Sequence, residues 1–233
     1  LEDASHALGG KYRGGYVGNC KFSDITVFSF HPVKIITTGE GGIATTNNLD
    51  LFKKMSQYRS HGIVRENNQL QFLKNIPWGY EQITLGFNYR MNDIEAALGK
   101  SQLNRLDEII KTRNKLALRY RSKLSKDAFY ILKVPKEVIS SYHLAVLRFL
   151  NCSELQHQEV FKFLRKQNIG VQLHYLPVHL HPFYRNLGFK EGDFPNAELY
   201  AKSSISLPLY VGLQNIEQDY VIEKLLQAYL KFF

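Results

Sequence analysis

Lys34 is the residue whose setting most suggests chemistry. It follows closely on 24–30, a run rich in β-branched and aromatic residues that reads as a buried strand, ended at His31-Pro32 because proline breaks both a helix and a central ladder. An ammonium beside a buried strand is costly unless it is paired or used. A partly buried lysine is also one whose neutral amine can attack a carbonyl, the basis of Schiff-base catalysis. The bland alternative is a loop lysine that snorkels to water, and an isolated lysine would be read that way. Just beyond, Thr37-Thr38-Gly39-Glu40-Gly41-Gly42 forms a turn, since consecutive glycines permit positive φ.

The elements that must position this lysine follow from pattern. Residues 43–46 read as a second strand, which makes the Lys34 region a strand, loop, strand unit. A helix is expected over 49–60, and 62–81, with Pro77 and Gly79, reads as an irregular functional loop. Asn92 and Glu95 have the spacing of a capping box. From there Ile94, Leu98, Leu103, Leu106, Ile110 and Leu116 recur at helical spacing, which predicts one long helix interrupted only at Ser125-Lys126-Asp127. Strands are expected at 143–150, 171–175 and 205–207. Helices are expected from Ser153 to about Asn168, from a cap at Asn196, and from Asn215 with Gln218. The last presents Val221, Ile222, Leu225, Leu226, Tyr229 and Leu230 on one apolar face.

Composition narrows the classes. The chain has 233 residues, 44% hydrophobic and 22% charged, with 30 Lys+Arg against 21 Asp+Glu for a net charge of +9. That is an ordinary globular composition, which excludes disordered, collagen-like and disulfide-stapled classes. Cys20 and Cys152 share no metal-ligand spacing, so no metal site and no disulfide framework is expected, and a reducing cytoplasm is the default. No apolar run approaches the roughly 20 residues of a membrane span, and no signal peptide is evident. The basic residues are dispersed and lack any nucleic-acid-binding signature, so neither nucleic acid nor membrane is an expected partner.

The odds on Lys34 change with its company: Glu2-Asp3-Ala4-Ser5-His6-Ala7, Phe28-Ser29-Phe30-His31-Pro32-Val33-Lys34, the glycine turn, Arg59-Ser60-His61-Gly62, Leu85-Gly86-Phe87-Asn88-Tyr89-Arg90-Met91-Asn92-Asp93, and Gly170-Val171-Gln172-Leu173-His174-Tyr175-Leu176-Pro177. In this order they resemble the nucleotide-sugar aminotransferases, fold-type I pyridoxal-phosphate enzymes. They are most similar to the branch that aminates C4 of a UDP-linked 4-keto-6-deoxy-N-acetylhexosamine on the route to pseudaminic acid. The resemblance implies an α/β fold: the C-terminal part of an aspartate-aminotransferase-like large domain at 1–112, then a small α+β domain at 113–233.

The same resemblance assigns roles. Lys34 would carry pyridoxal 5'-phosphate as a Schiff base and later shuttle a proton. Asp3 would face the pyridine nitrogen, and His6 would lie near the 3'-oxygen. Ser29 would bind the phosphate, and Asn88 would reach it from the neighbouring subunit of a homodimer. His174 and Tyr175, with His143 and His179 behind them, would lie on the sugar-nucleotide side, and the amino donor would be glutamate. Taken singly, each of these residues has a structural reading: a cap for Asp3, a small strand residue for Ser29, a turn for Asn88, and strand packing for His174 and Tyr175.

Related sugar dehydratases carry histidine at the lysine position, so Lys34 favours amino transfer over dehydration. An inactive fragment and a non-enzymatic nucleic-acid binder are the remaining alternatives. Leu1 is not Met, and the family's segment before Asp3 is absent from these residues, so an N-terminal portion is expected to be missing.

Overall fold

The computed structural model describes residues 1–124 and 126–233, leaving out Ser125 of the expected helix-ending turn. Its elements run β1 (Glu2–Asp3), β2 (Lys11–Tyr12), β3 (Gly15–Tyr16), β4 (Thr26–Ser29), β5 (Gly42–Thr45), α1 (Leu49–Arg59), β6 (Ile63–Val64), β7 (Glu81–Gln82), α2 (Asp93–Leu103) and α3 (Leu106–Lys123). There follow β8 (Phe129–Ile131), β9 (Val138–Ile139), β10 (Ala145–Phe149), α4 (Glu154–Lys166), a 3-10 turn (Val178–Leu180), α5 (Pro182–Asn186), α6 (Pro195–Ser203), β11 (Ser204–Leu207) and α7 (Asn215–Phe232). The chain divides into two compact units, Leu1–Asp107 with Glu137–Ser141, and Glu108–Lys136 with Tyr142–Phe233.

The first unit is built on a three-stranded sheet of order β1-β4-β5, in which β1 runs parallel to β4 and β5 antiparallel to it. A second small sheet, β3-β2-β9, takes its third strand from far along the chain, with Lys11 in register with Ile139. β6 and β7 pair inside the segment expected to be irregular. Asn48 caps α1 through the Asp50 and Leu51 amides, and Asn92 with Glu95 forms the expected capping box of α2.

The second unit packs helices on an antiparallel sheet of order β11-β10-β8. β10 alternates, burying Ala145, Leu147 and Phe149. Those side chains meet Val160 and Leu164 of α4 and Val221, Ile222, Leu225 and Ala228 of α7 in one core. The α4 helix starts after Ser153 as expected, and there Ser153 and Gln156 form a capping box.

Several expectations need correction. The long helix breaks at Asn104-Arg105: the Arg105 amide bonds to Gln102 O, three residues back, and this tightening ends α2 before α3 begins. Ile94, at 85% exposed, and Leu98 and Leu103 are not core residues of the unit, whereas Ile110 and Leu116 are buried. No strand forms over 171–175. Gln172 makes a single bridge to Ser206, and its own side-chain oxygen takes the Leu173 N–H, so the ladder stops there.

Pro195 occupies the first position of α6, so Phe194 precedes the helix, Asn196 lies within its first turn, and no side chain caps it. The box that opens α7 is Gln214 with Glu217, one residue before the expected pair. On α7, Leu226 and Leu230 turn outward, and Leu230 is 84% exposed.

Candidate functional site

β4 fixes the geometry of the candidate site. It buries Thr26 and Phe28 and leaves Val27 and Ser29 on the other, partly open face. Asp3 is in register with Val27, so Asp3, Val27 and Ser29 share that face. The Asp3 carboxylate accepts hydrogen bonds from the Ser5 hydroxyl and, at 3.0 Å, the Ser5 amide. These two donors, aided by the charges of nearby His6 and Lys34 and opposed by slight burial, hold its pKa below the ordinary 3.8. Asp3 is therefore a carboxylate at neutral pH.

Lys34 is half-buried on the loop that leaves β4, and buried Ile35 and Ile36 anchor the chain immediately after it. Its amide bonds to His31 O at 2.9 Å, and the Ser29 hydroxyl accepts the His31 amide at 3.4 Å. Gly42, opposite Ser29, closes the loop into β5. The structure thus brings His6 and Lys34 each within electrostatic reach of Asp3 and sets Ser29 on the same strand face as Asp3. His6 is held from behind, its carbonyl accepting the Ser141 hydroxyl at 2.9 Å.

Asn88 lies on a separate exposed segment, bridged to Ser60 at the end of α1. There the Phe87 amide donates to Tyr58 O, the Tyr89 amide to Arg59 O and the His61 amide to Phe87 O. A groove of about 690 Å³ beside this turn is lined by Lys53, His61, Arg65 and Arg90 among others.

Glu81 is a residue that the sequence reading missed. Its carboxylate accepts the amides of Gln71, Phe72 and Leu73 at 2.6–2.7 Å and so organises the expected loop. No local signal marks a glutamate that bonds ten residues back.

The remaining candidates are in the second unit. His174 Nδ1 lies 2.8 Å from Ser206 Oγ, the Tyr200 hydroxyl donates to the His174 carbonyl, and adjacent Tyr175 is exposed. Arg113, itself buried, donates to the carbonyls of Tyr142 and His143. His179 is buried against Phe194, with its Nε2 2.8 Å from the Glu198 carboxylate, which makes it a packing partner of α6 rather than an open side chain.

The residues present fit pyridoxal phosphate by the chemistry of the donor set. A carboxylate that stays ionised suits a protonated ring nitrogen, an amine nearby suits an aldehyde, and a hydroxyl on the same strand face suits phosphate.

The solved structures whose fold this chain shares are sugar aminotransferases of the fold-type I class. The chain belongs to the DegT/DnrJ/EryC1/StrS aminotransferase family, whose model matches residues 1–226. It is 35% identical over 226 residues to the UDP-4-amino-4,6-dideoxy-N-acetyl-beta-L-altrosamine transaminase of Campylobacter jejuni, covering 97% of this chain and 57% of that protein. The fold matches the PMP form of the sugar aminotransferase Spr1654 of Streptococcus pneumoniae with a TM-score of 0.91 at 32% identity, covering 99% of this chain and 59% of that one. It also matches Helicobacter pylori PseC, an aminotransferase of pseudaminic acid biosynthesis, with a TM-score of 0.88 at 32% identity over 99% and 59% of the two chains. The chain spans 54–58% of the length of the curated relatives it matches.

Proposed function

We propose that these residues belong to a pyridoxal-phosphate aminotransferase that moves an amino group from glutamate to C4 of a UDP-linked 4-keto-6-deoxy-N-acetylhexosamine, in pseudaminic acid or related surface-polysaccharide synthesis. The observation that carries the reading is the ionised Asp3 with Lys34 in electrostatic reach, at the end of a parallel strand pair.

When bound, the cofactor supplies an electron sink for the carbon that loses or gains nitrogen. Asp3, kept charged by Ser5, holds a ring nitrogen protonated. Lys34 would anchor the cofactor aldehyde; displaced from it by the donor's amino group, its freed amine would take the proton from Cα of the donor and, in the return half of the reaction, would deliver one to the sugar C4. Ser29 binds phosphate oxygens through its hydroxyl, and His6 borders the ring oxygen. Asn88 supplies a further phosphate contact across a homodimer. His174 and Tyr175, with His143, orient the sugar nucleotide. Buried His179 holds α6 in place behind them. The cations Lys53, Arg65 and Arg90 around the first unit's groove suit a diphosphate-bearing substrate. The enzyme is cytoplasmic in this reading, and among the described residues no helix is long and apolar enough to cross a membrane.

The test is borohydride reduction of the protein supplied with cofactor, followed by peptide mass mapping, together with an assay for amination of the UDP-keto sugar by glutamate. A pyridoxyl adduct on Lys34 and a 4-amino product are expected. Reduction without an adduct on Lys34 in the folded protein overturns the reading, and an adduct accompanied by loss of the C4 oxygen without amination moves it to dehydration.

A further inference from the structure

Lys34 lies on a loop without regular structure, and such a loop is fixed by whatever bonds its backbone groups. Phe30 closes the loop on itself. Its amide donates to Gly41 O at 2.8 Å, and its carbonyl accepts the Thr38 amide at 3.0 Å and the Thr37 hydroxyl at 2.9 Å. The backbone N–H and C=O of Thr37 both go elsewhere, to one side chain on α2. The Thr37 amide donates to Gln102 Oε1 at 3.3 Å, and Gln102 Nε2 donates to the Thr37 carbonyl at 2.6 Å. One turn earlier on the same helix face, Gly99 meets the next loop residue, where an added Cβ would come 2.8 Å from Thr38 Cγ2. Two helix positions three apart therefore grip two consecutive residues of the loop.

We propose that Gln102 and Gly99 are positioning residues for Lys34, and that α2 is the backstop that sets where its amine stands relative to Asp3. The inference rests on the reading of Lys34 as the cofactor-bearing lysine. A carboxamide is the neutral side chain whose donor and acceptor match a peptide N–H and C=O together. Glutamate keeps the acceptor and loses the donor, and alanine has neither. Buried Ile35 and Ile36 join Lys34 to Thr37, so a shift at Thr37 is passed on to the lysine instead of being absorbed by a slack linker.

The test uses Gln102→Ala, Gln102→Glu and Gly99→Ala, with Asn92→Ala as a control that weakens α2 at its far end and leaves the grip on Thr37 intact. Two quantities are followed by mass mapping: the rate at which a small N-hydroxysuccinimide ester acylates Lys34 without cofactor at one fixed pH, and the yield of pyridoxyl adduct on Lys34 after cofactor addition and borohydride. The expected result is acylation about threefold faster or more, and trapping about tenfold lower, in Gln102→Ala and Gly99→Ala, a cost near 1.4 kcal/mol. Gln102→Glu, nearly isosteric and expected to fold where alanine fails, gives the same direction. Asn92→Ala lowers the melting temperature with both readouts at the wild-type value.

Unchanged acylation and trapping in folded Gln102→Glu and Gly99→Ala overturn the proposal. So does an equal change in Asn92→Ala, which would reduce the effect to stability. A wild-type protein that acylates at Lys34 and never traps the cofactor sinks the functional reading, while a variant-specific change in acylation still upholds the positioning.

Discussion

The two units of this chain keep their order by different means. The second is held by apolar burial: Leu147, Leu164, Val171 and Leu225 are wholly out of water, and ion pairs such as Arg119–Asp219 stitch helix to helix at its surface. The first has short strands and many exposed apolar side chains along 72–98, and its candidate chemistry is held by side chains bonded to backbone, the Asp3 carboxylate accepting the Ser5 amide and the Gln102 carboxamide pairing with the Thr37 amide and carbonyl. Packing tolerates exchange of one apolar residue for another of similar volume, whereas a bond to a particular amide does not. Motif residues therefore crowd into the first unit, and the second reads mostly as periodicity.

Four changes would break or sharpen that contrast. On the proposed reading, Lys34→Ala lowers amination by roughly 10³-fold or more, with the melting temperature kept within a few degrees. A residual rate close to wild type would show that the first unit's loop is scaffold only. Leu225→Ala, at a position with no exposure, costs the second unit about 2–5 kcal/mol in urea unfolding. The pyridoxyl adduct on Lys34 in the remaining folded protein is unchanged. A cost below 1 kcal/mol would mean that apolar packing does not carry this unit.

Gly86→Ala costs about 1–3 kcal/mol in the same measurement, because its Cβ would overlap the Gly62 nitrogen and the His61 carbonyl carbon, backbone atoms that cannot swing aside. The smallest effect is on acid sensitivity. The His179 ring and the Gly192 and Phe194 amides, against the opposing effect of burial, hold the Glu198 carboxyl below its ordinary 4.5. Its contribution is complete above pH 4.5 and fades as pH falls through the lower folded-state value. Melting temperature followed from pH 6 to pH 3 should drop less steeply in Glu198→Gln than in the wild type, and identical slopes would remove this pair from the account.

What could be read from the sequence was what is decided within a few residues. The Asn92–Glu95 box, the helix start at Ser153, the β4 and β5 strands and the loop between them all depend on near neighbours. The break at Asn104-Arg105 was not legible, because Arg105 suits a helix, a single Asn is tolerated within one, and the interruption is a matter of which carbonyl each amide selects. The missing strand at 171–175 turns on one glutamine oxygen taking its neighbour's amide. Of the candidate site, the motif order pointed to Asp3, Ser29 and Lys34. The Ser5 donors, the Glu81 anchor and the Gln102 grip depend on side-chain reach across the fold and leave no mark on spacing.

The return of β9 to the first unit has a consequence for how the molecule is made. Lys11 and Tyr12 wait for partners at Ile139 and Val138, which the ribosome adds only after all of α2, α3 and β8. Until then β2 carries an unpaired edge, the kind of template on which nascent chains join one another. A truncation after Asp107 would make that waiting period permanent. An expression product meant to isolate the first unit must therefore carry Glu137–Ser141 grafted back, or it will meet its neighbours at Lys11 before it meets any cofactor.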